Sequence, residues 1–140
     1  MSPADDLLFP SDPRSREIAR ELFAVVRDQP LICPHGHVDP SILAQDTPFP
    51  DPARLLIVPD HYLTRMLLSQ GVPPARLGVP ATGQAPVGAE VETDGRTIWR
   101  TFAAHWHLFR GTPSRLWLER TFADVFGVDI PFRPQTADQV

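Results

Sequence analysis

The residues best suited to chemistry are two histidines, His35 and His37, separated by a single glycine. They directly follow a short apolar run, which favours a buried strand over residues 31–35. Side chains at positions i and i+2 of a strand point to the same side, so two imidazoles there could reach one metal ion. A pair of solvated or capping histidines is the alternative. The spacing therefore predicts a candidate metal site at the end of this strand.

A free-standing metal site would need further ligands close to His35 and His37. Asp39 and Cys33 are the near candidates, and Cys33 would share the strand face of the two histidines. The apolar neighbours of Cys33 favour a small buried side chain over a nucleophile. A single cysteine cannot form an internal disulfide, which agrees with a reducing compartment.

A second His-x-His pair, His105 and His107, lies in a segment with helical spacing. Residues two apart on a helix differ by about 200° in direction, so these side chains cannot bind one ion together. We expect Trp106 to face the core with the two histidines beside it. Trp99 and Trp117 are likewise expected to be core or contact side chains rather than sugar-stacking platforms.

Capping residues mark where the helices that position these side chains begin. Four of them stand directly before a proline: Asp12, Asp39, Asp51 and Thr112. A side-chain oxygen at the N-cap accepts from a backbone N–H, and proline at the next position gives up only a donor that would be unpaired. Asp60 similarly caps a longer helix from residue 61 to about 70, followed by Gly71.

Apolar residues recur at helical spacing in three further segments, which predict a helix ending near Arg27, one from Arg96 to Gly111, and one from Thr112 to Gly127. Residues 72–95 are predicted to form a loop, and the tail at 131–140 is predicted to fray. The fold class is mainly α with one short buried strand. We expect burial to concentrate on eight residues: Ile18, Leu22, Val25, Ile98, Phe102, Trp106, Leu118 and Phe122.

Length and composition exclude several classes of protein. A chain of 140 residues with 42% hydrophobic residues fits one globular domain, whereas a closed (β/α)8 barrel needs about 250 residues. The formal net charge is −4 and the arginines are scattered, which argues against nucleic-acid binding. No apolar run approaches the roughly 18 residues that span a bilayer, and the first ten residues lack a signal-peptide pattern. We expect a cytoplasmic protein without nucleic-acid or membrane partners.

Three segments in combination resemble a known family: LICPHGHVDP at 31–40, PDHYLTRMLLSQG at 59–71 and WHLFRGTPSRLW at 106–117. They resemble the N-terminal part of the uronate isomerases, also called glucuronate isomerases, of the amidohydrolase superfamily. The resemblance covers most of residues 10–130. It implies one N-terminal segment of an incomplete (β/α)8 barrel, with a helix and the first barrel strand over 10–38 and a helical insertion over 39–130.

The resemblance also implies an enzyme that interconverts D-glucuronate with D-fructuronate and D-galacturonate with D-tagaturonate. His35 and His37 match the first-strand ligands of the family's divalent metal, usually zinc. His61 and Tyr62 match an Asp-His-Tyr segment that contributes to the substrate site, although Pro59 precedes it where many members have glycine. The family's remaining metal ligands, a histidine and an aspartate from late barrel strands, lie beyond this chain.

Such an isomerase moves a proton between C1 and C2, which needs a base and a means of stabilising an enediolate. A metal could polarise the carbonyl, and the Tyr62 phenol could relay a proton. We assign catalysis to His61 and Tyr62, and hexuronate binding to these two and Arg65, which lies one helical turn after His61. An ordinary helix-terminal histidine and a solvated arginine are the alternatives for His61 and Arg65.

Geometry adds two expectations. We expect His61 and Tyr62 to share a solvent-open concavity with His35 and His37, where the positive end of the helix dipole would attract an anionic sugar. Without the late ligands, the chain alone should bind metal weakly and lack isomerase activity. A noncatalytic truncated helical domain or interaction module is the competing interpretation. The preferred hexuronate and assembly into a homo-oligomer stay open.

Overall fold

The computed structural model describes residues 6–80 and 90–140, and this part of the chain is helical, without strands. It divides into two compact units, Met1–His35 and Gly36–Val140. None of the helices in the described ranges has the length and apolar character that a membrane span requires.

The first unit is built on one helix, α1 (Pro13–Val26). Asp12 caps it as predicted, accepting a hydrogen bond from the backbone N of Ser15 at 2.8 Å. The predicted burial of its apolar stripe is wrong, because a single helix offers no second layer within the unit. Three residues of that stripe are largely exposed: Ile18 at 49%, Leu22 at 67% and Val25 at 73%.

Residues 31–35 do not form the predicted buried strand. Their backbone is irregular, and Leu31 and Ile32 are 90% and 89% exposed. A strand is stabilised by hydrogen bonds to a neighbouring strand, and residues 6–80 and 90–140 contain no partner strand. Cys33 is also exposed, so its interpretation as a small buried side chain is wrong.

Four helices of the second unit lie within the described ranges: α2 (Pro40–Ala44), α3 (His61–Leu68), α4 (Gly95–Ala104) and α5 (Pro113–Arg120). Short 3₁₀ turns at Pro74–Leu77 and Trp106–Phe109 follow α3 and α4. Single π turns occupy Ala53–Ile57 and Thr121–Val125. The predicted loop at 72–95 lies partly outside the described residues, since 81–89 are not described.

The caps and stops of these helices agree with the sequence. Asp39, Asp60 and Thr112 are N-caps, and the Asp51 carboxylate accepts from the Arg54 backbone N at 3.0 Å at the start of a π turn. Three glycines with positive φ follow α3, α4 and α5 with their extensions, as predicted: Gly71, Gly111 and Gly127. These stops fit the ease with which glycine adopts a left-handed conformation.

Aromatic side chains form the core of the second unit. Phe102 is fully buried, and the ring centroids of Trp99, Trp106, Phe109 and Phe132 lie between 5.3 and 6.1 Å from its own. Burial is therefore confirmed on α4, α5 and their extensions. The correctly predicted core residues are Ile98, Phe102, Trp106, Leu118 and Phe122.

The tail at 131–140 was predicted to bury few side chains, and this prediction is wrong. Phe132 and Ala137 are each 3% exposed. The Trp99 indole N–H donates to the Ala137 carbonyl at 2.8 Å, and the Arg100 guanidinium donates to the Asp138 carboxylate, also at 2.8 Å. A few well-placed contacts thus anchor a segment whose prolines and polar residues suggested a loose end.

Candidate functional site

Three rings converge where α3 begins, all of them within the second unit. The centroids of His37 and His61 are 4.7 Å apart, those of His37 and Tyr62 are 5.1 Å apart, and those of His61 and Tyr62 are 4.4 Å apart. Asp60 caps α3 and thereby places His61 and Tyr62 in its first turn. The structure therefore brings three of the predicted site residues into one cluster.

Asp60 joins this cluster to the helix. Its Oδ1 accepts from the Tyr62 backbone N at 2.7 Å and lies 3.1 Å from Nδ1 of His37. The residue is only 8% exposed. Capping alone was predicted for Asp60. Its contact with His37 links residues distant in sequence, and the only local signal was its position directly before the His-Tyr pair.

The Asp60 carboxylate also changes the electrostatics expected at the start of α3. The positive end of a helix dipole favours a nearby anion, and here Asp60 already supplies one, 2.7 Å from the Tyr62 backbone N. An anionic sugar approaching this point would meet a fixed negative charge. The expectation that the helix end attracts the substrate therefore does not suit this geometry.

Arg65 lies over the ring of Tyr62. Its Cζ is 4.6 Å from the ring centroid, a cation–π arrangement between residues three apart on the helix. Tyr62 is 46% exposed and Arg65 is exposed, so solvent reaches both groups. Because stacking uses the flat face of the guanidinium, its N–H edges can still bind a carboxylate.

A surface cavity of about 320 Å³ lies beside His37. Among the described residues, His61 and Tyr62 do not line it, so the cavity takes in one ring of the cluster. Arg54, in the cavity wall, donates to the Asp51 carboxylate at 2.8 Å, so part of its guanidinium is already hydrogen-bonded within the fold. The other lining residues are Gly36, Val38, Asp39, Pro40, Ile42, Leu55 and Pro59.

Metal ligands are incomplete in the described part of this chain. No group of three or more His, Cys, Asp or Glu side chains within residues 6–80 and 90–140 is placed to hold a metal ion. His35 belongs to the first unit and His37 to the second. The expectation that they share one side was derived from a strand that is absent, so their pairing stays a prediction. Within these ranges the residues do not by themselves make up a metal centre.

Trp106, between the histidines of the second His-x-His pair, faces the core as predicted, and His107 beside it is exposed. Trp106 between the two histidines is 3% exposed, and Nδ1 of His105 lies 2.8 Å from the Thr101 carbonyl oxygen. The rings of His105 and His107 lie side by side, with centroids 6.4 Å apart and planes 28° apart. The expectation that a helix turns them about 200° apart is wrong, because α4 ends at Ala104 and Trp106–Phe109 is a 3₁₀ turn. Trp117, by contrast, is 46% exposed and lies outside the core.

Comparisons with known proteins agree on one family. The profile of the glucuronate isomerase family matches residues 13–140. A uronate isomerase from Mesorhizobium japonicum is 56% identical over 134 residues, covering 96% of this chain and 28% of that protein. One from Rhizobium meliloti is 56% identical over 124 residues, covering 89% of this chain and 26% of that protein.

A solved structure gives the same result. The crystal structure of glucuronate isomerase from Caulobacter crescentus matches with a TM-score of 0.80 and 50% identity, over 96% of this chain and 27% of that one. The chain spans little more than a quarter of the length of the relatives it matches.

Proposed function

The chain belongs to the glucuronate isomerase family, and we propose that it forms the N-terminal segment of a uronate isomerase. The proposed reaction interconverts D-glucuronate with D-fructuronate and D-galacturonate with D-tagaturonate. The observation that carries this proposal is the convergence of His37, His61 and Tyr62 around Asp60, in a chain that is 56% identical to a uronate isomerase over 134 residues.

The proposal includes a barrel to which residues 6–80 and 90–140 contribute no formed strand in this structure. Residues 31–35 would become the first barrel strand when neighbouring strands supply hydrogen-bond partners. The high exposure of Leu31 and Ile32 fits a segment that needs such neighbours, because two large apolar side chains gain stability from burial. Residues 39–130 would then be the helical insertion that follows this strand.

Three residues of α3 have proposed roles in moving a proton between C1 and C2. The Tyr62 phenol relays a proton to a substrate oxygen, and His61, with its ring 4.4 Å away, is the neighbouring base. Arg65 binds the hexuronate carboxylate through its N–H edges. Its position over the Tyr62 ring would hold the anionic end of the sugar close to the phenol.

A divalent metal ion, by resemblance zinc, is also proposed, with His35 and His37 among its ligands. Bound metal would supply Lewis-acid polarisation of a substrate oxygen. The described residues do not complete its ligand set, so further ligands must come from outside them. The roles proposed above for His61, Tyr62 and Arg65 do not involve the metal ion.

Zinc titration by calorimetry tests the metal assignment. The chain should bind zinc weakly, because two histidines leave most of the coordination sphere to water. His35→Ala and His37→Ala should each abolish that binding. Tight binding that survives both substitutions together would place the metal elsewhere, with His105 and His107 the first residues to test.

Hexuronate turnover tests the activity. The isolated chain should not turn over D-glucuronate or D-galacturonate, since catalytic groups must be held to within about 0.5 Å of a productive geometry. A chimera in which this chain replaces the matching 134 residues of the Mesorhizobium japonicum protein should turn over at least one of them. A folded but inactive chimera would contradict the proposed function, and turnover by the isolated chain would contradict its expected inactivity.

A further inference from the structure

We propose that Asp60 is a positioning residue, whose single carboxylate oxygen fixes the tautomer of His37 and the start of α3 together. The importance of Asp60 for catalysis rests on the proposed function, whereas its contacts with His37 and Tyr62 do not. Oδ1 of Asp60 lies 3.1 Å from Nδ1 of His37 and accepts from the Tyr62 backbone N at 2.7 Å. One atom thus ties a residue of the irregular segment before α2 to the helix that carries His61 and Tyr62.

This contact determines which nitrogen of His37 carries the proton. An ionised carboxylate only accepts hydrogen bonds, and a neutral imidazole has one N–H. Nδ1 of His37 must therefore donate to Asp60, which leaves the lone pair of the neutral ring on Nε2. A neutral histidine in water samples both tautomers, and the Nδ1–H form is the one that the Asp60 carboxylate selects in this proposal.

Burial strengthens the contact. The Asp60 and His37 side chains are 11% and 18% exposed. Hydrogen bonds to charged groups are stronger where water is largely excluded. The ring of His37 is in turn packed within 4.7 Å of His61 and 5.1 Å of Tyr62, centroid to centroid. Loss of the carboxylate should therefore remove one of the contacts that orient His37 towards these two rings.

Two substitutions separate this role from helix capping. Asp60→Ser keeps a good N-cap oxygen for α3, but the shorter side chain cannot also reach His37. Asp60→Asn keeps an oxygen in the same place, because the Tyr62 backbone N–H still requires an acceptor there. Asp94→Ser is the matched control, since Asp94 caps α4 by accepting from the Arg96 backbone N at 3.1 Å.

The tautomer can be read directly from long-range ¹H–¹⁵N correlations of the labelled chain, at a pH where the imidazole is neutral. His37 should show the Nδ1–H tautomer in the wild-type, Asp60→Asn and Asp94→Ser chains. Asp60→Ser should lose that pattern and shift to a mixture dominated by Nε2–H. Far-UV circular dichroism of the same samples checks that the helices are retained.

Two results would overturn the proposal. One is a wild-type chain in which His37 is protonated on Nε2, a measurement that needs no variant to fold. The other is a folded Asp60→Ser chain that keeps the wild-type tautomer, which would leave Asp60 a helix cap only. Substrate plays no part in this experiment, so failure of the chimera to turn over hexuronate would count against the proposed function and not against the role of Asp60.

Discussion

Truncation of Phe102 should be the most damaging single change in the core. The side chain is 0% exposed and touches the ring of Trp99 on its own helix and the rings of Phe109 and Phe132 in two other segments of the second unit. Replacing a buried phenylalanine with alanine costs about 3–5 kcal/mol of the free energy of unfolding, through lost transfer energy and the cavity left behind. Small domains have only about 5–15 kcal/mol in total. A loss of about 4 kcal/mol would lower the Tm by roughly 10–20 °C.

Urea and thermal unfolding followed by far-UV circular dichroism measure this loss. Ile98→Val, at a 1% exposed site of the same core, should cost only about 1 kcal/mol and keep the chain folded for comparison. Phe49→Ala is the matched control, because Phe49 is 54% exposed and its truncation should cost about 1 kcal/mol or less. A Phe49→Ala loss equal to that of Phe102→Ala would refute this placement of the core.

Three other outcomes are expected. In urea unfolding, Gly78→Ala should destabilise the chain more than Gly111→Ala. Both glycines have a φ of +74°, but of the two only Gly78 would place an added Cβ within 2.8 Å of a neighbouring side chain. Equal losses of stability would contradict this. Trp99→Phe should cost about 1 kcal/mol in thermal unfolding, since it removes a buried hydrogen bond to a backbone carbonyl, and an unchanged Tm would contradict the contact. The hydrogen bond from Arg100 lowers the pKa of Asp138. The pair therefore stabilises the fold at a pH above the ordinary carboxyl range and loses that effect as the pH falls through the lowered folded-state pKa. Asp138→Asn should remove this part of the pH dependence of stability, and an unaltered pH–stability curve would contradict it.

The helices could be predicted well because their signals are local. An N-cap oxygen followed by proline, and a glycine at the stop, act within one or two turns. Asp12, Asp39 and Thr112 therefore marked helix starts correctly. The apolar stripe of α4 is also buried as predicted, because the π turn at Ala53–Ile57, the 3₁₀ turn at Pro74–Leu77 and Phe132 of the tail pack against it in the same unit.

The strand and the burial of α1 could not be predicted in the same way. An apolar run shows that a segment would gain stability from burial, but it does not show whether another element is present to cover it. Leu31, Ile32 and Leu22 have the pattern of buried residues and are exposed. The anchoring of the tail was missed for the opposite reason, because Phe132 and Ala137 make their contacts with residues distant in sequence.

The sequence indicated which residues lie together at the candidate site better than it indicated the contacts between them. His61 and Tyr62 were placed correctly in the first turn of α3, and His37 lies against both rings. The stacking of Arg65 on Tyr62 and the link from Asp60 to His37 depend on side-chain packing. Periodicity and spacing carry no information on such contacts. The role of His35 stays a prediction, because the strand expected to align it with His37 is absent.

The most direct test of the central claim is hexuronate turnover by the chimera carrying Tyr62→Phe, compared with the unsubstituted chimera. Tyr62→Phe keeps the ring beside His37 and His61 but removes the phenol proton. If Tyr62 relays a proton in the isomerisation, kcat should fall by about 10²- to 10⁴-fold. Trp117→Phe, at a 46% exposed site outside the cluster, should leave it unchanged. A Tyr62→Phe chimera with the turnover of its parent would contradict the claim that this cluster carries the chemistry.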